Sequence, residues 1–208
     1  MSPAKKKKGF DYYPWLEDDE DDSFAWIYDT PPELMETDFQ LQEGEPCSSW
    51  FPKDLTFDLS PEHGSKLTDS IPNTDRHIIA SEKLKELLEA RVSPGSIEFL
   101  PVRLRNPKKK LVDKKYFVAN VLKTVGCVDK EQSEFVMDAI DKGQVNYFTR
   151  LTLDEKKIPE DATLFRLGEK TDLVIIRSDL ARVLLDAKCN GMMFIVMEEY
   201  GAEFREAE

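Results

Sequence analysis

Histidine and cysteine are scarce in this chain, with two and three among 208 residues. Cys47, Cys127 and Cys189 are odd in number and far apart, and no CxxC or HxxxH pair accompanies them. That spacing offers neither a disulfide framework nor a zinc site; it suits thiols used as small core residues in a reducing cytoplasm. Cys127 ends an apolar stretch, Val125-Gly126-Cys127-Val128, and reads as a buried thiol instead of a nucleophile. His63 and His77 give little basis for a histidine-dependent triad, and His77, directly before Ile78-Ile79, reads as a strand-end residue. No run approaches the ~20 apolar residues that cross a bilayer. Lys5 to Lys8 lead through Gly9 to Pro14 into acids with no apolar core, so a secretory signal is not expected, and the four lysines read as a solvated patch. GxSxG, HExxH, P-loop and GxGxxG patterns are all missing, so the chain offers no catalytic, metal or cofactor-binding residues by motif.

Acid is plentiful. The formal net charge is −12, and residues 1–76 hold 18 acids against 7 bases, whereas residues 77–208 hold 23 against 22. Nucleic acid is therefore excluded as a partner, because a surface for it should be basic. A basic protein would be steered toward such a field. The densest stretch is Glu17-Asp18-Asp19-Glu20-Asp21-Asp22, expected to be a loop because adjacent like charges repel in any regular element. Asp18, Glu20 and Asp22 alternate like the start of a calcium loop, but Ser23 stands where glycine is needed and Asp29 where glutamate closes the site. A solvated loop is the simpler reading, with partner binding next.

With 40% apolar residues and 10% aromatics the chain can bury a core. One pattern occurs twice. Ile78-Ile79, Ser81 and an apolar face of Leu84, Leu87 and Leu88 lead to Gly95 and Ile97 to Leu100; Ile175-Ile176, Ser178 and a face of Leu180, Val183, Leu184 and Ala187 lead to Gly191 and Met193 to Val196. Both predict strand, serine cap, amphipathic helix, glycine stop and strand. A duplicated half-domain and a recurring common unit both fit it. Elsewhere, Phe24 to Tyr28 and Leu55 to Leu59 alternate as strands do, and Pro61 to Asn73 reads as a connecting loop. Ile97 to Arg105 and Tyr116 to Lys123 predict a hairpin with a basic tip at Asn106 to Lys110. Ser133 to Lys142 has helical spacing, while Val145 to Leu153 and Leu164 to Leu167 read as strands. The fold class is α+β, a mixed, mainly antiparallel sheet with a few short amphipathic helices. An acidic, aromatic-rich part, 1–76, and an α+β part, 77–208, are expected to form one continuous unit.

Ser81-Glu82-Lys83-Leu84, Ile97 to Val102, Tyr116 to Val121, Cys127-Val128-Asp129, Leu164 to Leu167 and Gly191 to Phe194 resemble, in order, the bacterial immunity-protein family numbered eleven. Tyr12-Tyr13 is similar to its start. The resemblance covers residues 77–197 best and 1–76 weakly. It implies a noncatalytic antidote that binds and neutralises a cognate secreted toxin, and it brings no catalytic residues. Its motif positions read as packing (Phe99, Leu100, Val102, Phe165) and an edge or bend (Pro101). The partner-binding candidates are Trp15, Glu17, Asp18, Asp19, Glu20, Asp21, Asp22, Phe24 and Trp26: acids to attract a basic toxin and aromatics to anchor it. An enzyme with a carboxylate-based site and an acidic adaptor that mimics nucleic acid are the alternatives.

Overall fold

The structure, a computed structural model, describes residues 9–201; Lys5 to Lys8 lie outside them. The strands of the first half are β1 (Tyr12–Glu17), β2 (Thr56–Asp58), β3 (Ser70–Ile71) and β4 (Ile79–Ser81), followed by α1 (Glu82–Glu89). Next come β5 (Ile97–Arg105), β6 (Tyr116–Val121), β7 (Thr124–Val125), β8 (Glu134–Met137) and β9 (Val145–Arg150). The chain continues with β10 (Leu164–Leu167), β11 (Lys170–Arg177), α2 (Ser178–Asp186) and β12 (Met192–Phe194). One sheet has the order β12-β1-β11-β10-β7, a second β2-β5-β6-β4-β3, and β8 pairs with β9 alone. Only the β10–β7 and β2–β5 pairs are parallel. This is the α+β class that the sequence predicts.

Period-two alternation explains the double isoleucines. Successive strand residues point to opposite faces, so Ile78 and Ala80 join α1 and α2 in one core while Ile79 packs with Phe57 and Leu104 in another. Likewise Val174 and Ile176 face the helices, and Ile175 faces Phe148 and Phe165 in a third core. Both faces of the two five-stranded sheets are covered, so these strands read as apolar runs.

The two strand–helix–strand units share a topology. In each, one further strand lies between the two and is antiparallel to both: β6 between β4 and β5, β1 between β11 and β12. The inserted strand follows its unit in the first case and precedes it in the second, so the units are not tandem copies. The helix ends differ too. Ser81 caps α1, its Oγ accepting from the Leu84 N–H at 3.2 Å. Ser178, expected to cap α2, does not; its Oγ accepts from Asp11 N–H and its own N–H donates to Asp11 O at 2.8 Å, tying it to the start of β1. Gly191 does not stop α2 either. Lys188 holds the left-handed position, φ 55°, with its N–H donating to Leu185 O and the Cys189 N–H to Leu184 O, the paired bonds of a Schellman end. Gly191 is needed for a close approach, since a Cβ there would sit 1.9 Å from Ser70 O. Lys188→Gly should therefore raise stability by about 1 kcal/mol, the cost of a side chain in that conformation, read as an increase in the urea midpoint.

Three other expectations need correction. Ser133 to Lys142 is not a helix: Glu134 to Met137 pair with β9, and Phe135 packs edge-on to Phe148 with ring centroids 5.8 Å apart. Aromatic and β-branched side chains against a sheet outweigh the helical spacing here. Phe24 to Tyr28 makes isolated bridges to Lys66, Leu59 and Asn73 instead of a regular strand, and its inward residues include Ala25 and Ile27. The segment from Pro61 to Asn73 contains β3. Pro101 behaves as expected. The Arg103 N–H donates to Leu55 O, so the nitrogen of Pro101, two residues earlier, faces a stretch that β2 no longer covers.

Candidate functional site

β1 carries the chain into the acidic run, and Glu17 is its last residue instead of the first of a loop. Asp18 is half-buried and Asp19 to Asp22 are exposed. The loop has internal order: Asp18 Oδ1 accepts from Glu20 N–H at 3.3 Å and Asp21 Oδ1 from Ser23 N–H at 3.0 Å, while Lys66 Nζ lies 3.4 Å from Asp21. These bonds to Ser23 and Lys66 hold the Asp21 carboxyl below the usual carboxylate range. Among the described residues no three His, Cys, Asp or Glu side chains converge on a metal position.

The predicted aromatics separate. Trp15 is 7% exposed and packs edge-on to Phe194 at 5.2 Å. Phe24 is 6% exposed, with Lys66 Nζ 4.7 Å above its ring. Both belong to the interior. Trp26 is half-buried and stacks on His63, with centroids 5.5 Å apart.

Glu17, Asp19 and Trp26 meet at one groove of about 740 Å³. Arg76 from the turn before β4, Tyr147 from β9 and Asp172 from β11 complete its walls with Lys170. Its cations are already engaged. Asp172 lies 3.5 Å from Arg76 Nη1 and 3.0 Å from Lys170 Nζ, and Lys170 also donates to Asn146 O at 2.9 Å. Glu17 and Asp19 form no ion pair with another described residue. Burial raises the Glu17 carboxyl above its ordinary range, against the pull of Arg76. The groove therefore keeps an excess of negative charge beside an aromatic wall. Arg76, Tyr147, Lys170 and Asp172 lie 50 or more residues beyond Trp26 in sequence; the pairing of β1 with β11 carries Lys170 and Asp172 toward Glu17, and the Ile27–Asn73 bridge holds the turn of Arg76 beside Trp26.

The other concentrations of polar chemistry are buried or partly paired. Arg166 is buried and donates to Val121 O, Thr171 O, Leu41 O and Asn120 Oδ1. Asn120 in turn donates to Glu45 O and Glu98 Oε1, which also accepts from Cys47 N–H. Burial and the neighbouring Glu98 push the Cys47 thiol up to about 11, and burial with Glu169 pushes Cys127 up to about 12, so neither supplies a thiolate at neutral pH. A wider cleft of about 960 Å³ opens between α1 and the β5–β6 hairpin, where Lys83 pairs with Asp69 and Lys115 with Glu82. No described helix is long and apolar enough to cross a membrane. Against known proteins, the sequence model of a family described as Immunity protein family (Imm11) matches residues 3–199, through the first third as well as the rest. No curated protein matches the chain.

Proposed function

Because the chain belongs to the immunity protein family Imm11, we propose that it is a noncatalytic antidote that binds one cognate toxin domain in the cytoplasm and blocks it. The observation that carries this reading to a surface is the groove at the end of β1, where Glu17 and Asp19 form no ion pair among the described residues and stand beside Trp26. A lysine or arginine of a basic toxin would find two carboxylates and an aromatic face there, and a cation over an indole contributes about 0.5–2 kcal/mol. Asp18, Glu20, Asp21 and Asp22 flank the groove and extend its field; Trp15 and Phe24, both buried, lie outside its walls. Buried thiols of raised pKa and the buried His77 favour a binder over an enzyme.

The test is co-expression with the toxin domain encoded beside this chain, scored by survival and by isolation of a one-to-one complex. Cell death despite the chain, together with no complex, defeats the proposal. Replacing Glu17 to Asp22 by Gln and Asn keeps the loop's acceptor oxygens while removing six charges. The association rate at low salt should fall about tenfold, and its dependence on ionic strength should flatten. Stopped-flow mixing at two salt concentrations measures both; an unchanged rate assigns recognition to another face.

A further inference from the structure

Three of the ten large apolar side chains exposed among the described residues fall within five positions: Val136 at 43%, Met137 at 42% and Ile140 at 96%. They lie on β8 and the turn after it, which the rest of the protein holds only from one side. β9 pairs with β8, and the base is tied to the β10–β11 turn by Val145 N–H to Glu169 O, Gln144 Nε2 to Gly168 O and Thr171 N–H to Gln144 Oε1. The turn is built, not loose. Asp138 Oδ1 accepts from Ile140 N–H at 2.7 Å and Asp141 N–H at 2.8 Å, and Asp141 Oδ1 accepts from Gly143 N–H at 2.8 Å. Those bonds present Ile140 outward in a fixed place, which lowers the entropy lost on docking.

We propose that β8 and its turn form a second contact arm, seating Ile140 with Val136 and Met137 in an apolar cleft of the partner whose rim is basic. Charge selects that occupant: residues 129–142 carry five acids and two lysines, and Asp138 and Asp141 bracket Ile140. A second copy of this chain fits poorly, because antiparallel pairing of β8 with itself about Val136 sets Glu134 opposite Asp138, and like charges there repel. The arm also adjoins the groove, since Tyr147 on its wall pairs with Val136. One partner can therefore cover both.

The proposal rests on the antidote reading and is tested separately from it. The full chain is titrated with the adjacent-encoded toxin domain by surface plasmon resonance, as wild type, Ile140→Asp, and Val136→Thr with Met137→Thr. Both variants should bind at least about tenfold more weakly, through faster dissociation. Their thermal midpoints should match wild type, because these side chains contribute little to the core. Wild-type binding by both variants overturns the arm and leaves the antidote reading standing. A wild-type chain that forms no complex overturns both. Light scattering that shows a dimer which Ile140→Asp dissociates assigns the arm to a second copy and overturns the proposed occupant.

Discussion

Arg166→Met is expected to destabilise the protein by about 3–5 kcal/mol, because several buried acceptors lose their donor at a cost of about 1–3 kcal/mol each. The guanidinium lies where three parts of the chain converge: its Nε donates to Val121 O on β6 at 2.8 Å, its Nη1 to Thr171 O on β11 at 2.9 Å, and its Nη2 to Leu41 O and Asn120 Oδ1. Among the described residues no carboxylate pairs with it; burial lowers its pKa to about 10, with Asp172 acting against that shift, so it stays charged at neutral pH. Methionine replaces the aliphatic stem only and leaves three carbonyls and an amide oxygen without their donor. Lysine should fail nearly as badly, because one ammonium cannot reproduce a planar fork reaching several acceptors. Urea unfolding measures the loss, and a cost under about 1 kcal/mol for both variants would reject this account.

Stability should fall by about 3 kcal/mol as pH drops from 6.5 to 4, and His77 should be the cause. The imidazole is buried, with its Nε2 unpartnered among the described residues. Burial first, and then the charge of Arg166, lower its pKa to about 4 against the opposing effect of Asp38. Between that value and about 6.5 the unfolded chain binds a proton that the folded one refuses, so stability is full above 6.5 and declines on acidification. A tenfold difference in proton affinity between the folded and unfolded chain corresponds to about 1.36 kcal/mol. Glu17, raised by burial, works in the opposite direction and trims the slope. His77→Phe should flatten the profile from pH 4 to 6.5, as read by urea midpoints at several pH values. An unchanged slope in that variant assigns the acid sensitivity to other groups.

The regular elements of the second part were legible because local pattern and tertiary use agree. Ile97 to Arg105 and Tyr116 to Val121 are β-rich runs, Ile97 to Val102 pair residue by residue with Tyr116 to Val121, and Ser81 caps the helix it precedes. The failures have physical causes. Ser178 has the right chemistry for a cap, but β1 competes for its hydroxyl from 167 residues away. Phe135 with Ala139 and Val136 with Ile140 have helical spacing, and only Phe148 supplies Phe135 with a sheet partner. At the candidate site, the acidic run and Trp26 stood out as composition. Asp172 and Lys170 carried no such signal, because their role depends on the strand beside them. Arg166 belongs to the Leu164 to Leu167 motif of the family resemblance, which reads as packing; nothing local reveals that its charge is buried and bonded to the first third.

β1 also sets an order of events during synthesis. Its residues leave the ribosome first, yet their neighbours are Ile175 to Arg177 and Met192 to Phe194. At roughly 5–20 residues per second, Tyr12 waits on the order of 10–30 seconds for its first sheet partner. Until then the acidic run and Trp26 have no floor, no Asp172 opposite and no groove between them. A nascent chain, or one truncated before β11, lacks the surface proposed to meet the toxin.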